Sequence, residues 1–306
     1  MDRQIFDKII DYINKNKNLN KQNLFELIEN TLKKQNDFNL SMDTFTSIYG
    51  NLKRRQMFKS SDSSAINWKR LKDNSINLSL KYNEKCSSDS ETFPKNIILE
   101  MANDTGIAPI LMARLILDGF IKQDALELVD QESIKNKDKI SISFLIKETH
   151  LLKNGRLGYE IMECCFEDED YGPSIDLVKN LIGLEYECKL ERLLIQNGIS
   201  FVKESELREK GFDKTPDFKL DLPICLSNGS VISWIDSKAT FGDELSHSEY
   251  YENQFKFYLN RFGSGLVIYW FGYLKDIEKF NFNSNFISIC DSFPSDFTLL
   301  DLTSLI

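Results

Sequence analysis

Along the first ninety residues, apolar positions recur every three or four places. Ile5, Phe6, Ile9, Ile10 and Ile13 make one stripe, and Leu24, Leu27, Ile28 and Leu32 make another. This spacing puts side chains on one face of a helix. Residues 96–120, NIILEMANDTGIAPILMARLILDGF, stay helical but are interrupted. Ala102 and Gly106 stand four apart and Pro109 follows, which predicts a helix-turn-helix: a small residue at the crossing, a glycine in the turn and a proline in the first turn of the second helix. From Ser174 the period changes. Leu177, Leu181, Leu184 and Cys188 predict a long helix that stops at Asn197-Gly198, and ISFV predicts a short strand. Residues 213–244 then alternate apolar and polar positions on both sides of Ser-Asn-Gly-Ser, the pattern of a hairpin. An amphipathic helix over residues 243–263 and the apolar run GLVIYWFGYL complete the order α, β, β, β, α, β. The expected fold is mixed α+β and α/β: a mainly helical N-terminal half, then a mixed sheet flanked by helices. Polar stretches at residues 84–91 and 167–173 suggest three regions: 1–84, 92–165 and 174–306.

Composition narrows the chemistry. The chain has 306 residues, 42% hydrophobic and 28% charged. Its longest apolar run is too short to cross a bilayer and its start does not read as a signal peptide, so an intracellular protein without a membrane partner is expected. None of the six cysteines forms a C-x-x-C pair, and there are two histidines, His150 and His247. Zinc fingers, disulfide frameworks and Ser-His-Asp chemistry are therefore disfavoured. The net charge of -9 conceals an asymmetry: residues 1–90 carry 16 basic against 11 acidic side chains, and the remainder 22 against 36. The basic surplus peaks at residues 50–72, where Lys53, Arg54 and Arg55 are candidates for phosphate contact, although a solvated helix face explains so short a run equally well. The helix-turn-helix offers only Arg114 to a base edge, which favours a structural hairpin or a docking surface over a sequence reader.

Carboxylates and lysine supply the remaining chemistry. In WIDSKA, period-two alternation places Trp234, Asp236 and Lys238 on one strand face. If Ser227 pairs with Ser230, then Asp217, Lys219 and Asp221 lie on the same face. Clustered carboxylates repel, and a Mg²⁺ ion held by one or two of them removes the repulsion. That register sets Asp221 opposite Asp236 and Asp217 opposite Thr240, about 13 Å along the strand. Asp217 reaches an ion only if the hairpin bulges, for which Pro223 is the expected place; otherwise Asp221 is the rival ligand. The bland alternative is a surface hairpin with Asp236 and Lys238 as a solvated ion pair.

TPDF, WIDSKATFGDE, NQFKFYLNRFG and GLVIYWFGYL, together with APILMARLIL and CCFEDEDYGPSIDLVKNLIGLEYE, resemble the codanin-interacting nuclease family. The C-terminal half of that family is a restriction-endonuclease-like PD-(D/E)XK domain akin to archaeal Holliday-junction resolvases. The resemblance implies a divalent-metal-dependent nuclease, a DNA endonuclease of the resolvase-like kind, with Mg²⁺ or Mn²⁺ as cofactor. It places the metal-binding acids on Asp217 and Asp236 and the catalytic lysine on Lys238. Gly183 and Glu187 match the G-x-x-x-E spacing of resolvase-like members, making Glu187 a third metal ligand, with Glu185 as the fallback. QFKFY matches Q-x-x-x-Y, making Gln254 a catalytic candidate and Tyr258 a supporting or packing residue. His247 is expected on a helix surface, outside the catalytic set. The resemblance further implies a codanin-like partner, residence in nucleus and cytoplasm, and a homodimer as an open alternative to the monomer. A runner-up reading is a weakly active or inactive nuclease-fold scaffold that binds codanin or nucleic acid.

Overall fold

The computed structural model describes residues 1–16, 18–36, 38–58, 68–88, 95–129, 141–168, 170–277 and 286–299. It divides into two compact units, Met1–Leu52 with Leu181–Ile306, and Lys53–Asn180. The expected boundaries near residues 84 and 174 do not coincide with these units, because apolar faces group elements that are far apart in sequence. The stripes of α1 (Arg3–Lys15) and α2 (Lys21–Asn36), with the start of α3 (Met42–Phe58), bury Ile9, Ile13, Leu24, Ile28, Leu32, Phe45 and Ile48. These share one core with Trp234, Phe255, Tyr258, Val267 and Tyr269 from the C-terminal half.

The second unit is helical. It contains α4 (Trp68–Asp73), α5 (Ser75–Ser88), α6 (Ile97–Thr105), α7 (Pro109–Leu128), α8 (Ile142–Lys147) and α9 (Gly155–Glu167). Gly106 ends α6 at φ 67°, a conformation that favours glycine, and Pro109 opens α7. Buried carboxylates from α9 and the residue after it serve the starts of this pair. Glu160 accepts from the Ile97 and Ile98 N–H groups and Asp168 from the Ile110 N–H, which satisfies helix-end donors that would otherwise lack partners.

In the first unit, α10 (Pro173–Gln196) leads into β1 (Phe201–Lys203), α11 (Glu204–Glu209), β2 (Phe218–Leu226) and β3 (Val231–Lys238). Next come α12 (Glu244–Tyr250), a π-helical turn (Tyr251–Phe255), α13 (Lys256–Phe262), β4 (Gly265–Tyr269), β5 (Ile287–Cys290) and β6 (Phe297–Leu299). The sheet order is β1-β2-β3-β4-β5, with β6 also on β2. β1, β2 and β3 are antiparallel, whereas β4 runs parallel to β3 and β5 parallel to β4. The sheet is thus mixed and helix-flanked, with α11, β5 and β6 as elements the sequence pattern did not announce. Leu190 and Leu194 pack α10 on the sheet, while Leu177, Leu181 and Leu184, whose spacing predicts the helix, are exposed.

The hairpin register differs from the expected one in two places. Its turn closes between the Leu226 N–H and the Ser230 carbonyl rather than Ser227 and Ser230, and Gly229 adopts φ 84°. Three residues with a left-handed glycine at the end replace the two-residue turn. Pairing then shifts again between Lys219 and Ile224, across Pro223, so that Phe218 faces Ile235. The turn contributes a slip of one residue and the irregularity three more. Because the total is even, Asp217 keeps its face but moves from the level of Thr240 to that of Asp236.

β4 starts at a glycine for a steric reason. A Cβ on Gly265 would lie 2.0 Å from the indole of Trp234, which is fully buried in the facing position of β3. Gly265→Ala is therefore expected to destabilise the protein by roughly 2 kcal/mol or more, read as a lower urea midpoint at unchanged slope. An unchanged midpoint would mean that the indole has room to move.

Candidate active site

The site lies at the C-terminal end of β3. Asp236 is 1% exposed and Lys238 follows on the same strand face. Asp217 enters from the residue before β2, and its Oδ2 accepts from the Ser237 N–H at 2.7 Å. The bulge makes that contact available. Lys238 Nζ lies 2.5 Å from Asp236 Oδ1 and donates to Gln254 Oε1 at 3.0 Å. It also sits 5.0 Å from the centre of the Tyr250 ring. Asp236 Oδ1 is buried, and its charge is matched by the Lys238 ammonium alone on that side.

Gln254 reaches Lys238 from the π-helical turn, whose extra residue per turn re-aims side chains and recurs at functional sites. On the same stretch, Tyr258 is buried edge-on against Trp234 at 5.2 Å, a packing role. His247 corrects the expectation of a surface histidine. It is 1% exposed, its Nδ1 is 2.9 Å from the Tyr269 hydroxyl, and burial lowers its pKa to about 4. An amphipathic helix read from sequence does not reveal which polar residue turns inward.

Glu187, on α10, is half-buried. Burial raises its pKa, with Glu204 and Asp236 adding to the effect and Lys238 opposing it, so it shares the field of the site. The fallback Glu185 is exposed on the same helix. Asp221 is exposed within the irregular part of β2, hydrogen-bonded to the Ser200 hydroxyl, and is no rival to Asp217. Among the described residues, no three His, Cys, Asp or Glu side chains converge as a ready coordination shell. Lys53, Arg54 and Arg55 lie on α3.

Glu204 is the participant that sequence reasoning missed. Its backbone N–H donates to the Asp217 carbonyl, and its carboxylate accepts from the buried Thr215 hydroxyl and from Arg208. Its charge also raises the pKa of Asp236. A Glu at the start of a six-residue helix carries no spacing signal, and only the chain reversal into β2 brings it near.

Residues from α3 brace the far side of the strand end. The Ser47 hydroxyl accepts from the Phe241 N–H at 2.7 Å and bonds the Thr240 hydroxyl, while Thr44 donates to the Phe271 carbonyl. Both loops that leave the C-terminal ends of β3 and β4 are therefore tied to a helix that is distant in sequence.

The electrostatics are those of acids held against their tendency. Burial first, then the charge of Asp236, pushes the Asp217 pKa well above the usual carboxylate range, against the opposing effects of Lys238 and the Ser237 N–H. Asp236 is also raised, by burial, with Lys238 opposing. For Lys238, burial works against the charge, yet Asp236 and Asp217 hold its pKa above the ordinary lysine value. The carboxylates of Asp217 and Asp236, with Glu187 in their field, offer hard oxygens whose mutual repulsion Lys238 only partly offsets. This set suits a small divalent cation.

A family model described as "Protein of unknown function TPD sequence-motif" matches residues 153–293. Thr215, Pro216 and Asp217 spell that motif in this chain. "CDAN1-interacting nuclease 1" of Homo sapiens is 40% identical over 205 residues, covering 64% of this chain and 70% of the relative. The chain belongs to the CDAN1-interacting nuclease family. The Danio rerio relative of the same name is 37% identical over 220 residues, covering 72% and 70%, and that of Mus musculus 38% over 205 residues, covering 64% and 70%. No solved structure matches the chain. The stretch matched by the family model contains Glu187, Glu204, Asp217, Asp236, Lys238 and Gln254. The helices α1–α3 that brace the site lie outside that stretch.

A carboxylate whose folded pKa exceeds its unfolded value favours folding only when protonated. Its effect on stability is most favourable at low pH and is lost as pH rises from the ordinary value near 4 through the raised one. Asp217→Asn is therefore expected to stabilise the metal-free protein at neutral pH by about 1 kcal/mol or more, and to gain nothing below pH 4. Thermal melts of both proteins across pH check this; a gain independent of pH would contradict it.

Proposed function

We propose that the protein is a divalent-cation-dependent nuclease of the PD-(D/E)XK type that hydrolyses phosphodiester bonds, with DNA as its substrate and internal, resolvase-like cutting as its mode. The observation that carries this reading is the convergence of Asp217, Asp236 and Lys238 at the end of β3, with burial raising the proton affinity of both carboxylates. Asp217 and Asp236 would hold Mg²⁺ or Mn²⁺, with Glu187 as the further carboxylate. When bound, the ion supplies Lewis-acid charge beside the scissile phosphate.

The protein's own groups do the rest. Lys238 is held as an ammonium by two aspartates, so it acts first as a cation, stabilising charge that builds on the phosphoryl oxygens and orienting the attacking water. Its service as a base requires that the aspartate charges be offset. Gln254 fixes the lysine's direction and presents its own N–H₂ group to phosphate or water. Glu187 and Glu204 add carboxylate oxygens at the edge of the site that can accept hydrogen bonds from water.

The relatives' name extends the reading to a partner: a codanin-type protein that docks on this chain, with the helical unit and its helix-turn-helix as the docking region and nucleus and cytoplasm as the setting. The acidic balance beyond residue 90, 22 basic against 36 acidic side chains, favours a second reading, a nuclease-fold scaffold with weak or no activity.

Purified protein with Mg²⁺ or Mn²⁺ on single-stranded, duplex and branched DNA separates the two. Lys238→Ala and Asp217→Asn are expected to lose on the order of a hundredfold or more in rate. Cleavage equal in mutant and wild type would assign the activity to a contaminant. Because burial raises the proton affinity of Asp217 and Asp236, a cation competes with protons for them. Mg²⁺ affinity is expected to climb as pH rises above the ordinary carboxylate range, with calorimetric heats that depend on the buffer's ionisation enthalpy; a pH-independent affinity would place the ion elsewhere. If Lys53, Arg54 and Arg55 contact phosphates, replacing all three with alanine should weaken DNA binding and flatten its salt dependence by roughly 0.9 per lost contact. An unchanged slope would return them to solvent.

A further inference from the structure

Beside the acidic site stands a group of rings that the chemistry above does not use. Tyr186 and Trp270 lie 5.2 Å apart between centroids, and Phe271 meets Tyr186 edge-on at 5.4 Å. All three are partly exposed. Lys189 Nζ sits 4.5 Å from the centre of the Trp270 ring and 5.1 Å from that of Tyr186. The group is built onto the site. The Trp270 indole N–H donates to the Ser237 hydroxyl at 2.9 Å, its backbone N–H donates to the Lys238 carbonyl at 3.0 Å, and Tyr186 immediately precedes Glu187.

We infer that Tyr186 and Trp270, with Lys189, form a stacking platform for an unpaired nucleobase, so that the site takes single-stranded or locally unpaired nucleic acid in preference to intact duplex. This rests on the nuclease reading and specifies its substrate.

The chemistry follows from the groups present. An ammonium over an indole marks a ring face that attracts cations and planar π systems, and every base has such a face. A base that stacks on Trp270 displaces Lys189, and a long flexible ammonium released beside a nucleotide finds its phosphate. Arg192, three residues further along α10, is on the same helical side and lines the same shallow groove as Tyr186 and Lys189, extending the track for a backbone. Glu185 also lines that groove and opposes a phosphate there, which leaves Lys189 and Arg192 as the end a strand would follow. In an intact duplex the bases are stacked on one another and unavailable to the rings, whereas an unpaired base can be splayed onto them.

Titration of the full-length protein with a short oligothymidylate and with a blunt duplex, both with Ca²⁺ in place of Mg²⁺, tests the inference through intrinsic tryptophan emission and fluorescence anisotropy. The single strand is expected to quench emission, and the quench should vanish in Trp270→Phe, which keeps a ring in place. Tyr186→Ala, on a partly exposed helix face, is expected to weaken single-strand binding roughly five- to a hundredfold while leaving duplex binding unchanged. Circular dichroism melts matching wild type exclude misfolding as the cause. Equal loss on both ligands, no loss on either, or no binding of the single strand by wild type would overturn the platform. Cleavage of DNA with Mg²⁺ but no single-strand preference would sink the platform and leave the nuclease; platform-dependent binding with no cleavage would sink the nuclease and leave the platform.

Discussion

Two carboxylates brought together in a protein interior repel each other, and each loses hydration on the way in. That constraint organises the sheet of this protein. Asp236 is fixed on a central strand, hemmed by β2 on one side and β4 on the other, and Asp217 must come to its level from a chain that, in regular pairing, would pass four residues away. The three-residue turn and the irregularity across Pro223 together perform that displacement. Lys238 on the next same-facing position offsets part of the charge, and the remainder stays as raised proton affinity in both acids. Such a pair is costly in the absence of a ligand and favourable with a cation, which is the signature of a group of residues kept for chemistry rather than for stability.

Much of this was legible in the sequence because it depended on period and on residue type. Alternation placed Trp234, Asp236 and Lys238 on one face, and proline's missing donor marked where β2 would depart from regular pairing. What periodicity could not supply was the size of the departure. A slip of one residue at the turn followed by three more depends on how Gly229 closes the loop and on how many residues the irregularity absorbs, and neither is written in an alternating pattern. The buried face of the long helix α10 is hidden for a related reason. It carries apolar residues around much of its circumference, so spacing predicts the helix but not that Leu190 and Leu194 face the sheet while Leu177, Leu181 and Leu184 are exposed. His247 and Glu204 escaped because each acts through a tertiary contact made by an element too short or too irregular to predict.

The surroundings of Lys238 show how placement is divided among elements of different character. Strand β3 gives direction, the π-helical turn gives Gln254 its reach, and Ser47 and Thr44 hold the loops at the ends of β3 and β4. No single element could fix an ammonium on a flexible four-carbon stem, whose rotamer freedom is large. Restraint from several sides lowers the entropy that any ligand of Lys238 would have to remove.

One feature of the unit that carries the site bears on how the chain folds. Its sheet core is completed by Ile9, Ile13, Leu24 and Phe45 from the beginning of the sequence and by Val267 and Ile289 from near its end. During synthesis on the ribosome the earliest helices emerge with an uncovered apolar face and wait for strands made more than two hundred residues later, while residues 53–180 can already collapse around their own core. Closing so long a loop is slow relative to local helix formation. The interval before the strands arrive is when those first helices are open to a chaperone.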